Sequence, residues 1–335
     1  MKFIFTADWH FSAYLNDRII KESNLPERLH SLTKTINNII KYCRDNKIQN
    51  LVVGGDVLHN KNVIYSSSLS ILIDLLKNNS DINFILCDGN HDMSERTIDG
   101  ISGLKSLDSI GNVHVIHEVE KIENILFIPW KYVTKEIMFK ENSDYLLSHF
   151  GLDEGQLNSG ISIRSDISMK NLSNFKFVLL GHYHKNQFLE NQNTKLYYVG
   201  SPIQLDWGEK NEEKRFLNID TETNIIESIP SSGYKKHYEF ELNTENRKDV
   251  LEQIQTLKND GHHIKLFKFD DLDTTEIEKD FEVISKKEKD ITNRGLDSTM
   301  NSSEKINRFL EIKEIPVEKR ERYRNVALEI MESIV

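Results

Sequence analysis

Short apolar runs alternate with longer stretches of helical period through roughly the first 180 residues. Lys2–Thr6 (KFIFT) is predicted as a strand. Residues 26–47 carry Leu29, Leu32, Ile36, Ile39 and Ile40 near a 3.6-residue period and are predicted as a helix. A strand at 51–54, a helix at 64–76 and a strand at 84–87 follow. Ile125–Ile128, 145–148 and 177–180 read as further short strands. Strands interleaved with helices argue for an α/β layered fold.

The pattern changes after about residue 206. Residues 212–242 hold three strand-like runs (RFLNID, NIIESI, HYEFEL). A helix at 247–257 and a strand at 264–269 complete what reads as a smaller α+β unit. Residues 270–290 carry nine acids and four bases and are expected as a solvated acidic helix or face. The polar run 291–303 reads as a linker. Two short helices are predicted after it, near 303–312 and 316–334, with Ser302 or Ser303 as N-cap and Pro316 in a first turn. The division expected is 1–210, 211–290, a linker at 291–303 and a helical tail at 304–335.

Composition narrows the class. Across 335 residues, 53 acids against 43 bases give a net charge of −10, so bulk positive charge is not available to hold nucleic acid. No apolar run approaches the ~20 residues a membrane helix needs. The apolar start MKFIFT is interrupted by Asp8 and His10 and lacks the longer run of a signal peptide. Cys43 and Cys87 are too few for a disulfide framework and are expected buried and inert. A soluble, cytoplasmic protein is expected.

The chemistry lies in four clusters, each after a predicted strand. They are Asp8-Trp9-His10, Gly55-Asp56-Val57-Leu58-His59, Gly89-Asn90-His91-Asp92 and Gly181-His182-Tyr183-His184. Strand carboxyl ends are where α/β sheets place their sites. Taken singly, each cluster is as well explained by a turn residue beside a core histidine. Four at four strand ends leave that explanation little room. Asp, His and Asn donors suit Mn²⁺, Fe²⁺ or Zn²⁺, and no cysteine sits among them to make a structural zinc site. Two divalent ions carry +4. Asp8 and Asp56 supply −2 and a hydroxide −1, and the remaining +1 suits a phosphodiester. Two such ions at ~3.5–4 Å polarise a phosphoryl group and make hydroxide available near neutral pH.

The set DxH, GDxxH, GNHD and GHxH resembles the calcineurin-like metallophosphoesterase superfamily. GDVLHNK at the second motif departs from the GDxVDRG of its protein phosphatases. GHYHKNQ followed by YYVGSPIQLDWGE resembles the SbcD-type nuclease subunits of double-strand-break repair, despite Asn186 and Val199, and the short, asparagine-rich chain is similar to their phage versions. The resemblance covers residues 3 to about 217 and implies a two-sheet α/β sandwich with metals at the strand ends. It implies that Asp8, His10 and His184 hold one metal, that Asp56 bridges, and that Asn90, His149 and His182 hold the second. It implies that His91 is the acid near the leaving oxygen and that His59 contacts the phosphate. Asp92 is expected to orient His91 or to cap a helix, and Trp9 and Tyr183 to wall the site. His30, His114, His117, His237, His262 and His263 receive no role.

From the same resemblance come further expectations. The activity is a two-metal DNA nuclease, a 3′→5′ exonuclease and single-strand endonuclease, usually Mn²⁺-dependent, with Mg²⁺, Fe²⁺ or Zn²⁺ as alternatives. The partners are DNA, a coiled-coil ATPase of the SbcC kind docked on the C-terminal helices, and a second copy of the chain. Residues 64–76 and 98–107 are the candidates for that dimer contact. The capping unit shapes DNA access. The rivals are a small-molecule phosphodiesterase of the same superfamily and a non-catalytic scaffold for the ATPase. His91 counts against the scaffold, which has no use for it.

Overall fold

The strand runs that lack polar alternation are explained by burial on both faces. In the computed structural model, which describes residues 1–162, 164–268, 272–285 and 302–333, β1 (Lys2–Thr6) sends Phe3 and Phe5 to one core and Ile4 to another. A strand enclosed on both sides reads as continuous apolar sequence. After a short hairpin of β2 (Ile19–Ile20) and β3 (Leu25–Pro26), α1 (Glu27–Asp45) starts directly behind Pro26. It buries Leu29, Leu32, Ile36, Ile39, Ile40 and Cys43. Then come β4 (Asn50–Val53), α2 (Ser66–Asn78), β5 (Asn83–Cys87), β6 (Val113–Ile116), β7 (Glu120–Ile122) and β8 (Ile125–Ile128). A short helix α3 (Lys135–Lys140), β9 (Ser143–His149), β10 (Phe175–Gly181), β11 (Gln187–Glu190), β12 (Lys195–Tyr198), β13 (Arg215–Asp220) and β14 (Ile225–Pro230) follow.

Two six-stranded sheets result, ordered β14-β13-β1-β4-β5-β6 and β11-β12-β10-β9-β8-β7. Strands β1, β4, β5 and β6 run parallel, as do β12, β10, β9 and β8. Phe5, Val52, Ile85 and Cys87 of the first sheet share a core with Phe127, Tyr145, Leu147 and Leu179 of the second. The outer face of the first sheet packs on the two long helices. The expected α/β two-sheet sandwich is the observed fold. Register places the site. Thr6 pairs with Val53, Val53 with Leu86, and Gly181 with His149, so the loops that carry the expected ligands leave the parallel strands in flush rows.

The runs RFLNID and NIIESI, expected in the smaller unit, are instead β13 and β14 of the first sheet. β13 pairs antiparallel with β1, Phe5 opposite Leu217. A free edge beside β1 is what it covers. The chain divides into a unit of 1–238 plus 257–263 and a second unit of 239–256 plus 264–335. The second contains most of a three-stranded sheet of β15 (His237–Leu242), β16 (His263–Lys268) and β17 (Glu282–Ser285), with α4 (Arg247–Asn259). Leu242, Val250, Ile254 and Leu266 form its core. The described part of 270–290 contains turns and β17, so of the expected acidic helix or face the helix is not formed. Most of the 291–303 linker lies outside the described residues. The tail forms α5 (Ser302–Ile312) and α6 (Val317–Ser333), packed on each other, with Phe309, Ile312, Val317, Tyr323 and Val326 exposed. No described helix is long and apolar enough to cross a membrane.

Candidate metal centre

The loops after β1 and β4 are zipped together by their backbones. The Asp8 N–H donates to the Gly55 carbonyl at 3.0 Å and the His10 N–H to the Asp56 carbonyl at 2.9 Å. Four of the expected ligands have positive φ: Asp8 at 55°, His10 at 52°, Asp56 at 52° and His182 at 94°. Non-glycine residues rarely adopt that region, and such strain collects at functional sites. Gly55, with φ of 94°, has no alternative residue. A Cβ there would lie 2.3 Å from Nδ1 of His149.

The seven expected ligands converge. His10 and His184 face each other with Nε2 atoms 3.0 Å apart. Two nitrogens on adjacent positions of one cation, each at ~2.1 Å, have that separation. Nε2 of His149 lies 3.1 Å from Oδ1 of Asn90, 3.2 Å from Oδ2 of Asp56 and 3.9 Å from Oδ1 of Asp8. Nδ1 of His182 is 3.0 Å from the same Asn90 oxygen, and the His182 N–H donates to the Asp8 carboxylate. Asp56 also reaches Nε2 of His10, at 3.7 Å. Donor atoms of Asp8, His10 and His184, and of Asp8, Asp56 and His149, lie within 4.8 Å of one another.

Such a concentration of nitrogen and oxygen donors, mostly buried and aimed at each other, fits divalent cations. The outward ring atoms fix the tautomers. Nδ1 of His149 donates to the Gly54 carbonyl at 2.8 Å, leaving Nε2 to face the cluster. Burial and the neighbouring His184 hold His10 well below the ordinary imidazole value, and burial with His149 pushes His182 down to about 3. Both rings are neutral and ready to ligate. Burial alone would lower His149, but the Asp56 and Asp8 carboxylates raise it to about 9. Burial raises Asp8 against the pull of His149 and His184, whereas in Asp56 the His149 contact overcomes burial and depresses the carboxyl.

His91 and His59 flank the ligands. The His91 Nδ1 donates to the His59 carbonyl, its N–H donates to Oδ1 of Asp56 at 2.8 Å, and its ring stands edge-on to His10 at 4.9 Å. Nδ1 of His59 is 3.3 Å from Nδ1 of His10. The nitrogens of His10, His59 and His91 also lie within 4.8 Å of one another.

Two expectations are corrected. Asp92 does not orient His91. Its carboxylate accepts N–H bonds from Val57, Leu58 and Gly89 at 3.3, 2.8 and 2.9 Å, tying two ligand loops together. Trp9 is fully buried in the helix-side core, its indole N–H on Thr6 Oγ1, and walls nothing. Tyr183 lies with its ring 5.3 Å from that of His182, as a wall of the cluster, and its hydroxyl donates to the Leu152 carbonyl. His117, given no role, bridges Asp88 at 2.8 Å and Asp108 at 3.2 Å beneath the Asn90 loop. Sequence reasoning also missed Glu209 and Lys214. Oε1 of Glu209 is 2.8 Å from Nδ1 of His184 and Oε2 is 2.6 Å from Nζ of Lys214. Those bonds outweigh burial and hold Glu209 at about 2. Cys43 and Cys87 are free and buried as expected, and burial pushes both thiols up, Cys43 to about 12.

The chain is 24% identical over 261 residues to exonuclease subunit 1 of Enterobacteria phage T4, covering 72% of this chain and 71% of that protein. An archaeal phosphodiesterase structure shares 16% identity over 69% of this chain and 99% of its own, with a TM-score of 0.36. A dimetal phosphatase from Danio rerio shares 11% over 69% and 99%, with a TM-score of 0.40. The model of the calcineurin-like phosphoesterase family matches residues 1–186, more than half the chain and every expected ligand position from Asp8 to His184. With its strand-end donors gathered into one centre, the chain belongs to the calcineurin-like phosphoesterase family and is a phosphoester hydrolase.

Proposed function

We propose that this chain is a two-metal DNA nuclease. The observation that carries the reading is the single cluster built by Asp8, His10, Asp56, Asn90, His149, His182 and His184, with His91 beside it. Asp8, His10 and His184 would hold one ion and Asn90, His149 and His182 the other. Asp56 would bridge, since it reaches both His10 and His149. When bound, two divalent cations polarise the phosphoryl group and lower the pKa of bound water. Mn²⁺ is the expected metal.

The chain's own residues do the rest. His10 and His182 present neutral nitrogens. Asp92 locks the loops of Asp56 and Asn90 in register through backbone N–H bonds. His91, anchored through Nδ1 to the His59 carbonyl, has Nε2 left to deliver a proton to the leaving oxygen. His59 adds a donor for the phosphate. With the chain at −10 overall, the strand is held locally at the centre rather than by bulk charge.

DNA as substrate is supported by the phage T4 relative, named as an exonuclease subunit. That name also supports a partner subunit. A coiled-coil ATPase docked on the exposed apolar residues of α5 and α6 is the partner proposed, within the cytoplasm. A homodimer is proposed through the region of α2 and residues 98–107, where Ile64, Ile98 and Ile101 are exposed. The test is Mn²⁺-dependent digestion of duplex and hairpin DNA labelled at either end, beside bis-p-nitrophenyl phosphate. Shortening from the 3′ end supports the reading. Turnover of the small ester with intact DNA would make the chain a small-molecule phosphodiesterase instead.

A further inference from the structure

Oε2 of Glu209 is crowded with donors. Nζ of Lys214 lies at 2.6 Å, the Ser201 hydroxyl at 3.0 Å and the Leu205 N–H at 3.2 Å. Oε1 faces Nδ1 of His184 at 2.8 Å. Glu209 is 2% exposed and Lys214 1% exposed. Lys214 also donates to the His184 carbonyl at 3.0 Å, so one ammonium grips both the carboxylate and the backbone of the residue that carboxylate holds. A buried ion pair is costly to desolvate and is retained here with its hydrogen bonds satisfied. Ordinary packing needs none of this.

We propose that Glu209, braced by Lys214, is a positioning residue that fixes His184 in its Nδ1–H tautomer and thereby directs the Nε2 lone pair into the metal centre. A carboxylate only accepts, so the ring nitrogen facing it must carry the proton. The opposite nitrogen, 3.0 Å from Nε2 of His10, is then left free to ligate. Lys214 also donates to Oε2 of Glu212 at 2.9 Å, so its single charge is shared between two carboxylates.

Glu209→Gln makes this testable, because the change is nearly isosteric and reverses the logic. Nζ of Lys214 and the Leu205 N–H, which can only donate, converge on the Oε2 position and demand the amide oxygen. The amide NH₂ then faces His184 and donates to Nδ1, which forces the proton onto Nε2. The probes are long-range ¹⁵N–¹H spectra of the histidine rings and calorimetric titration of the full-length, metal-stripped protein with Mn²⁺. Glu209→Gln should move the His184 signals to the Nε2–H tautomer and weaken Mn²⁺ binding at one of two sites by about 10–100-fold. Glu209→Ala, which leaves the tautomer free, should weaken it less.

A purely structural role predicts the opposite order, with the truncation worse than the isostere, and that order would overturn the proposal. So would an unchanged tautomer with unchanged affinity in Glu209→Gln, or loss of its cooperative melting. The proposal rests on His184 being a ligand. Wild-type protein that binds no Mn²⁺ would sink that reading, whereas failure of the Glu209 variants alone sinks only the positioning role.

Discussion

Nε2 of His149 lies 3.2 Å from Oδ2 of Asp56, both side chains almost wholly withdrawn from solvent. In the metal-free site this is a buried ion pair. The carboxylates raise the imidazole to about 9 and the imidazolium depresses Asp56. A divalent cation held by His149 would have to displace that proton. Below about pH 9 the proton competes with the metal, so Mn²⁺ affinity should rise as pH rises toward that value. Loading at pH 7 should release at least one proton per chain. Calorimetry in two buffers of different ionisation enthalpy measures it, and identical heats after dilution correction would mean His149 was already neutral.

Asp56→Ala should cost more metal than Asp8→Ala. Asp56 faces His10 at 3.7 Å and His149 at 3.2 Å, so its loss strips an oxygen from both halves of the centre. Asp8→Ala should keep one ion. Elemental analysis of the two purified variants decides, and two ions per chain in Asp56→Ala would end its assignment as the bridge.

His91→Ala should part rate from metal content. Its backbone N–H bond to Asp56 survives removal of the ring, so the ligand cluster keeps its support. A general acid contributes about 10²–10⁴-fold, and the cleavage rate should fall by that factor with both ions bound. Loss of an ion in this variant would make His91 a ligand, as its closeness to His10 and His59 also permits.

Gly55→Ala should damage the centre without touching a ligand. The added methyl would meet the His149 ring at 2.3 Å, and alanine at φ of 94° is strained. The backbone alone should cost about 1–3 kcal/mol. A lowered melting temperature together with weaker Mn²⁺ binding is expected. Wild-type values in both measurements would show that the loop has room to shift.

Much of this protein is decided locally in the chain. The parallel core strands are short apolar runs, and the ligands follow them within a few residues. Strand, turn and donor are therefore written side by side, as in FIFTADWH and LVVGGDVLH. His149 is different: it ends its own strand without a motif, and resemblance rather than pattern singled it out. Tertiary structure decided the rest. The runs 215–220 and 225–230 have the pattern of any small-unit strand, and only the open edge of β1 draws them into the first sheet. Asp92 sits beside His91 in sequence, yet its carboxylate turns to Val57 and Leu58, 35 and 34 residues away, because three buried N–H groups need an acceptor there. Glu209 and Lys214 meet His184 across 25 and 30 residues. Contacts at such separations carry no local periodicity. They follow from which loops the two sheets bring to one end, and burial then requires every charge left there to find its partner.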